Sequence, residues 1–216
     1  MMWIMTFGGR TAVDRKRHWE QVYTKKSAHE TSWYQAVPTP SLQMIQHAAD
    51  GAARSLIDVG GGASLLVDLL LERGFFDLTV LDISGRALEQ ARLRLGPRAD
   101  RIDWIEADVT EFVPGRSWEI WHDRAAFHFL TDPADRARYI DVLRRALVVG
   151  GQAIIAAFAP DGPQRCSGLE IVRYSAQTLA SELGSVFVLE EKRAEVHLTP
   201  AGKEQRFGFY RFRKTG

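Results

Sequence analysis

Short apolar runs of strand length alternate with longer amphipathic stretches through the middle of the chain. The runs are Ser55–Val59, Leu78–Asp82, Arg101–Ile105, Trp118–Asp123 and Gln152–Ala157. Between several of them the apolar positions recur at helical spacing. Residues 64–73 carry Leu65, Leu66, Leu69 and Leu70; residues 84–95 carry Leu88, Ala91, Leu93 and Leu95; residues 134–148 carry Tyr139, Ile140, Leu143 and Leu147. Strand–helix alternation of this kind predicts an α/β fold with a mostly parallel sheet covered on both faces.

The two ends are patterned differently. Residues 14–26 and 40–53 predict two helices joined by the aromatic segment Thr31-Ser32-Trp33-Tyr34-Gln35. After the fifth strand the pattern predicts a helix near 175–183, a strand from Val186 to about Leu198, a turn at Thr199-Pro200-Ala201-Gly202 and a strand over 206–213. The last two strands are expected to form a hairpin that closes the sheet. No repeat, low-complexity tract or linker divides the chain, so residues 1–216 are expected to form one domain.

Composition narrows the classes of function. Twenty-eight Lys and Arg against 27 Asp and Glu leave a net charge of +1, which sets up no global field for nucleic acid or an anionic membrane. Cys166 is the single cysteine, so no intramolecular disulfide and no CxxC pair exists, in keeping with a reducing compartment. The apolar start MMWIMTFGGR breaks at Gly8-Gly9, short of a secretory signal, and no run reaches the roughly 18 apolar residues of a membrane span. The expected location is the cytoplasm.

The strongest local signal is LIDVGGGAS, residues 56–64, in which a strand ends in Asp58 and a glycine turn, Gly60-Gly61-Gly62, leads into a helix. Glycines allow a sharp turn and close approach of a ligand, and the helix start offers unpaired N–H donors. The next strand ends in Asp82, placed to hold ribose hydroxyls. IEADV, residues 105–109, puts Asp108 just past the third strand, where its carboxylate can accept from an adenine amino group. Leu65 stands where a dinucleotide fingerprint requires its third glycine, and Asp58 suits a cationic amino-acid moiety better than a pyrophosphate. A nicotinamide oxidoreductase is the least favoured class.

In this order of Asp58, glycine turn, Asp82 and Asp108 the chain resembles the class I S-adenosylmethionine-dependent methyltransferases, over roughly residues 50–215. The family's E/D-x-G-x-G-x-G reads here Asp58-Val59-Gly60-Gly61-Gly62-Ala63-Ser64, with a serine able to cap the helix at the last position. The resemblance implies a Rossmann-like, doubly wound, seven-stranded sheet, mostly parallel with an antiparallel last strand. It implies S-adenosyl-L-methionine as cofactor, with Asp58 near its methionine end after the Gly60 and Gly62 turn, Asp82 on the ribose, Ile83 on the adenine face, and Asp108 with Val109 at the adenine amino group. Residues 1–53 would be N-terminal cap helices and 54–216 the cofactor-binding core. Residues 18–35 resemble the N-terminal helix and W-Y/F-Q stretch of small bacterial members, in which Trp33 and Tyr34 either cap the cofactor or anchor the helix on the sheet.

Beyond the fourth strand lies WHDRAAFHF, residues 121–129. Its Asp123-Arg124-Ala125 is similar to the D-R-G or D-K-G of thiopurine-methyltransferase-like and some protein-lysine methyltransferases, and it lacks the N/D-P-P-Y/F of enzymes that methylate nucleic-acid amino groups. Asp123 or His128 is a candidate proton acceptor and Arg124 a candidate holder of an anionic group, against a cap role for Asp123 and packing between Phe127 and Phe129 for His128. The spacing of His122, Asp123 and His128 matches no zinc signature, so no metal is expected. Residues 158–175 form a long connection bearing Cys166, Arg173 and Tyr174, expected to act as a substrate lid. The expected function is methyl transfer to a small-molecule S, N or O acceptor; a protein-lysine methyltransferase and a cofactor-binding regulatory protein are the alternatives. No nucleic-acid or membrane partner is expected.

Overall fold

The computed structural model describes residues 14–51 and 54–216; the apolar start and the last two residues of the second predicted helix lie outside them. Helices α1 (Arg15–Lys25) and α2 (Thr39–Ala49) flank a single 3-10 turn at Ala28–Glu30. There follow β1 (Leu56–Val59), α3 (Leu66–Glu72), β2 (Leu78–Asp82), α4 (Gly85–Leu95), β3 (Ile102–Glu106), β4 (Trp118–Arg124), α5 (Pro133–Ala146) and β5 (Leu147–Phe158). A two-residue hairpin, β6 (Arg165–Cys166) and β7 (Leu169–Glu170), precedes α6 (Ala176–Leu183), β8 (Phe187–Leu198) and β9 (Glu204–Lys214).

The main sheet has the order β3-β2-β1-β4-β5-β9-β8, with β1 to β5 parallel and β9 antiparallel to both its neighbours. The seven strands and the closing hairpin therefore stand as the pattern predicts. Period-two alternation divides the sheet between two cores. On β5, Ile154, Ala156 and Phe158 face a cluster with Leu42 and Ile45 of α2, Leu66 and Leu70 of α3 and Leu88 of α4. Ala153, Ile155 and Ala157 face the other side, with Tyr139 and Leu143 of α5 and Leu179 and Leu183 of α6.

Three boundaries differ from the pattern. Helix α2 stops at Ala49 because Asp50 and Gly51 turn left-handed, at φ 48° and 73°. Helix α5 stops at Ala146, and residues 147–148 belong to β5: the run Leu147-Val148-Val149 carries two β-branched residues that favour extended backbone, and Gly150 at φ 82° lies where the pairing with β4 shifts register. Helix α3 begins two residues late, at Leu66, and the Ser64 hydroxyl accepts from the Leu66 N–H at 3.1 Å.

The reversal after β4 rests on one buried carboxylate. Asp123 has no exposed surface and accepts from the N–H groups of Ala126 (2.8 Å) and Phe127 (3.0 Å) and from the Tyr139 hydroxyl (2.7 Å). Tyr139 in turn accepts from the Trp121 indole N–H at 2.8 Å, tying α5 to β4. Tyr139→Phe deprives both buried partners of this hydroxyl, an expected loss of about 2 kcal/mol in urea unfolding with an unchanged m-value. An unaltered midpoint would show that the hydroxyl does not hold the turn.

Candidate active site

The C-terminal ends of β1 to β4 open into one cavity and a smaller adjoining chamber, which share Tyr23, Trp33, Gly60 and Arg124 in their walls. The glycine turn forms the floor. Gly60, at φ 68°, donates its N–H to Leu81 O at 2.7 Å, and a Cβ placed on it would meet Ala126 Cβ at 2.7 Å. Gly62, at φ 44°, would put a Cβ 2.8 Å from Asp82 Oδ2 and 3.1 Å from the Tyr23 hydroxyl. Both positions exclude side chains by conformation and by space.

Asp82, Ile83, Asp108 and Val109 line the larger cavity together. Asp82 is buried, accepts from Ser84 N at 2.8 Å, and is pushed up to about 7, chiefly by burial. Asp108 is tied on both oxygens: Oδ1 accepts from the Thr110 N–H and hydroxyl, and Oδ2 pairs with Arg15 of α1 at 2.9 Å. Asp58 lines the smaller chamber beside Gly60, Gly61 and Ser64. Its Oδ1 meets His122 Nδ1 at 2.7 Å, and His122 Nε2 meets Ser41 Oγ at 2.9 Å.

Of the three residues expected to carry the chemistry, only Arg124 lines the cavity. Asp123 is enclosed as the turn's cap, with burial pushing its carboxyl up to about 6 against the pull of its hydrogen-bond donors. His128 is fully buried, its ring 4.4 Å from that of Phe129 and 5.0 Å from that of Phe158; burial pushes it down to about 3. Neither lines the cavity. Arg124 donates from Nη1 to Trp33 O at 3.0 Å, lies 4.8 Å over the Phe207 ring, and keeps Nε and Nη2 without protein partners. Ala125 takes φ 71°, left-handed at the place where the resembling motif has glycine.

The connection after β5 brings Cys166 to the cavity and leaves its other two candidates elsewhere. Arg173 is a staple, donating to Pro160 O (2.7 Å) and Gly162 O (3.2 Å). Tyr174 packs in the core against Phe127 at 5.3 Å, its amide bonded to Phe158 O. Neither lines the cavity: Arg173 closes the loop through backbone carbonyls and Tyr174 is held in the core. Trp33 lines both chambers and Tyr34 the smaller one. Sequence reasoning missed Arg15, Trp19 and Tyr23 of α1, Phe129, and Gln205 and Phe207 of β9. The spacing of Trp19 and Tyr23, four apart on one helix face, was a usable signal; Arg15 and Gln205 gave none.

A family profile described as a methyltransferase domain matches residues 56–151, from β1 into β5. Residues 56–151 are thus a methyltransferase domain, set in a fold shared with S-adenosylmethionine-dependent methyltransferases. Within this methyltransferase, 149 residues are 24% identical to the eEF1A lysine and N-terminal methyltransferase of Bos taurus, over 66% of the present chain and 21% of the relative; the chain spans about a fifth of that protein's length. Solved structures share the fold. N-methyltransferase NodS from Bradyrhizobium japonicum WM9 superposes with a TM-score of 0.65 at 18% identity, covering 82% of this chain and 96% of NodS. The 1,6-didemethyltoxoflavin-N1-methyltransferase of Burkholderia thailandensis, solved with its substrate and S-adenosylhomocysteine, gives 0.66 at 20% identity, covering 94% and 85%.

The methyltransferase's site fits this cofactor on its own geometry: a glycine floor that a Cβ would fill, a buried carboxylate at the end of β2, and an apolar cavity wall.

Because burial raises Asp82 from 3.8 to about 7, the fold prefers its neutral form, so its favourable contribution is full below about pH 4 and lost as pH rises through about 7. Asp82→Asn is therefore expected to raise the apo Tm at about pH 8 by a few degrees, with no gain at about pH 4. The same change is expected to weaken S-adenosylhomocysteine binding by about tenfold or more in calorimetry. Ala125→Gly removes left-handed strain of roughly 1–2 kcal/mol, and with glycine's added chain entropy a net gain of about 1 kcal/mol is expected in chemical denaturation. A loss of stability would mean that the Ala125 side chain contributes more by packing than its backbone costs.

Proposed function

We propose that this methyltransferase acts on a small molecule whose reacting atom is already unprotonated near neutral pH and which carries an anionic or strongly accepting group beside Arg124. The observation that carries this reading is the make-up of the cavity wall apart from the carboxylates assigned to the cofactor. It includes Trp19, Trp33, Phe129, Phe207, Arg124, Cys166 and Gln205. None of these is a competent base: burial pushes the Cys166 thiol up to about 11 and brings Arg124 only to about 10. A heteroaromatic nitrogen, a carboxylate or an acidic thiol needs no base, whereas an ammonium must first lose a proton and is repelled by the guanidinium.

In this reading Asp58 takes the ammonium of the cofactor's methionine end, Asp82 the ribose hydroxyls, Ile83 the adenine face, and Asp108 with Val109 the adenine edge. Trp33 and Tyr34 cover the site from above. When bound, S-adenosylmethionine supplies a methyl group activated by a positively charged sulfur. The chain's part is to align the acceptor in line with that methyl and to exclude water, which Trp19, Trp33, Phe129 and Phe207 do with apolar surface. Arg124 orients the acceptor through Nε and Nη2, the edge of a guanidinium that matches a carboxylate bidentately. Cys166 shapes the wall.

A protein-lysine acceptor is the second reading, favoured by the similarity to the bovine eEF1A lysine and N-terminal methyltransferase. A panel measured by S-adenosylhomocysteine release separates the two. Heteroaromatic or thiol acceptors bearing a carboxylate are expected to turn over, and lysine peptides are not. Arg124→Met is expected to lower kcat/KM for the anionic acceptors by about ten- to a hundredfold, through lost charge-assisted hydrogen bonds, while uncharged analogues change by only a few-fold. Efficient methylation of a lysine peptide with little response to Arg124→Met would reverse the assignment.

A further inference from the structure

We infer that His122 is a positioning residue for Asp58, and that the chain Ser41–His122–Asp58 sets the enzyme's affinity for the amino-acid end of its cofactor. The inference rests on the reading of Asp58 as the partner of the cofactor's ammonium.

It begins with strand register. β1 and β4 are parallel neighbours in which Asp58 pairs with His122, so the two side chains leave the same face of the sheet side by side. His122 Nδ1 lies 2.7 Å from Asp58 Oδ1 and Nε2 lies 2.9 Å from the hydroxyl of Ser41, which α2 lays over this part of the sheet. All three are buried, with the two side chains of the pair 2% and 5% exposed. An ionised carboxylate only accepts, so Nδ1 carries a proton toward Asp58; in the neutral ring Nε2 then accepts from the Ser41 O–H. Both ring nitrogens are thereby satisfied, and the imidazole has one orientation.

This arrangement decides where the other oxygen of Asp58 points. With Oδ1 held by the ring, Oδ2 is turned to the glycine turn, where a Cβ on Gly61 would lie only 2.5 Å from it. It therefore faces the smaller chamber, whose walls include Gly60, Gly61 and Ser64. Without the imidazole, nothing else among the described hydrogen bonds holds the carboxylate in that rotamer. Fixing it in advance removes the rotamer entropy that ligand binding must otherwise overcome. The trio has the sequence of contacts of a Ser–His–Asp hydrolase, but Ser41 has no exposed surface and is not presented as a nucleophile. Its role is to hold the far side of the ring.

The test compares two ligands by calorimetry: S-adenosylhomocysteine, and 5′-methylthioadenosine, which has the same nucleoside and sulfur but no amino-acid end. His122→Leu is expected to weaken the first by about tenfold or more and to leave the second within about twofold. Asparagine can place its amide nitrogen near the position of Nδ1, so His122→Asn is expected to restore most of the lost affinity. Ser41→Ala is expected to weaken S-adenosylhomocysteine alone by a few-fold, and it serves as the test should His122→Leu fail to fold. Equal weakening of both ligands, or none for S-adenosylhomocysteine, overturns the inference. If the wild-type enzyme binds both ligands equally well, the amino-acid end gains nothing at Asp58, and the reading of Asp58 falls with it.

Discussion

The buried carboxylate of Asp123 is the fixed point from which the site is hung. Two backbone N–H groups and the Tyr139 hydroxyl converge on it, so the chain leaving β4 must reverse within a few residues. That reversal presses Ala126 against Gly60, forces Ala125 into a left-handed conformation, and delivers Arg124 and Phe129 to the cavity wall. An ionisable group is used here for its geometry. Its raised pKa reports the burial that this use demands.

The same compromise recurs around the cavity. Asp82 is kept in a buried place that disfavours its charge, and Arg124 retains two donors with no protein partner. Folding alone gains nothing from either arrangement. A ligand offering hydroxyls to the first and acceptor atoms to the second would discharge both, which is the pattern expected where stability has been traded for binding. The two cores on either side of the sheet supply the apolar burial against which such local losses are tolerated.

The layered fold was legible because its signals are local. Apolar runs of strand length, helical spacing between them, and glycines where φ is positive all act over a few residues, and they located β1, β2, β4 and the glycine turn nearly to the residue. The line-up of Asp58, Asp82 and Asp108 followed, since they stand one residue before the end of β1, at the end of β2 and two residues past β3. Side-chain orientation was harder to read. Nothing in Asp123 or His128 as letters distinguishes a cap or a packed ring from a base; burial among Phe129, Phe158 and Tyr139 decides it, and that depends on elements far along the chain. Arg173 illustrates the same limit, because its carbonyl partners exist only once the connection after β5 has folded back. The end of α5 was misplaced where helical periodicity and the β-branched Val148 and Val149 point in opposite directions, and strand pairing settled it.

Arg15 carries an implication for the order in which the molecule assembles. Its guanidinium bridges Asp108 beyond β3 and Asp135 in α5, the latter 120 positions away in sequence. Most of the docking surface for this end of α1 therefore does not exist until β3 and α5 have joined the sheet. Closing so long a loop is slow and is rewarded late, so α1 is a latecomer on the folding route. Tyr23 is its one buried residue, and apart from those ion pairs the helix is tied to α4 through Glu20 and Tyr23. Access to the cavity beside Asp108 would then be governed by the stability of a single helix rather than by that of the sheet beneath it.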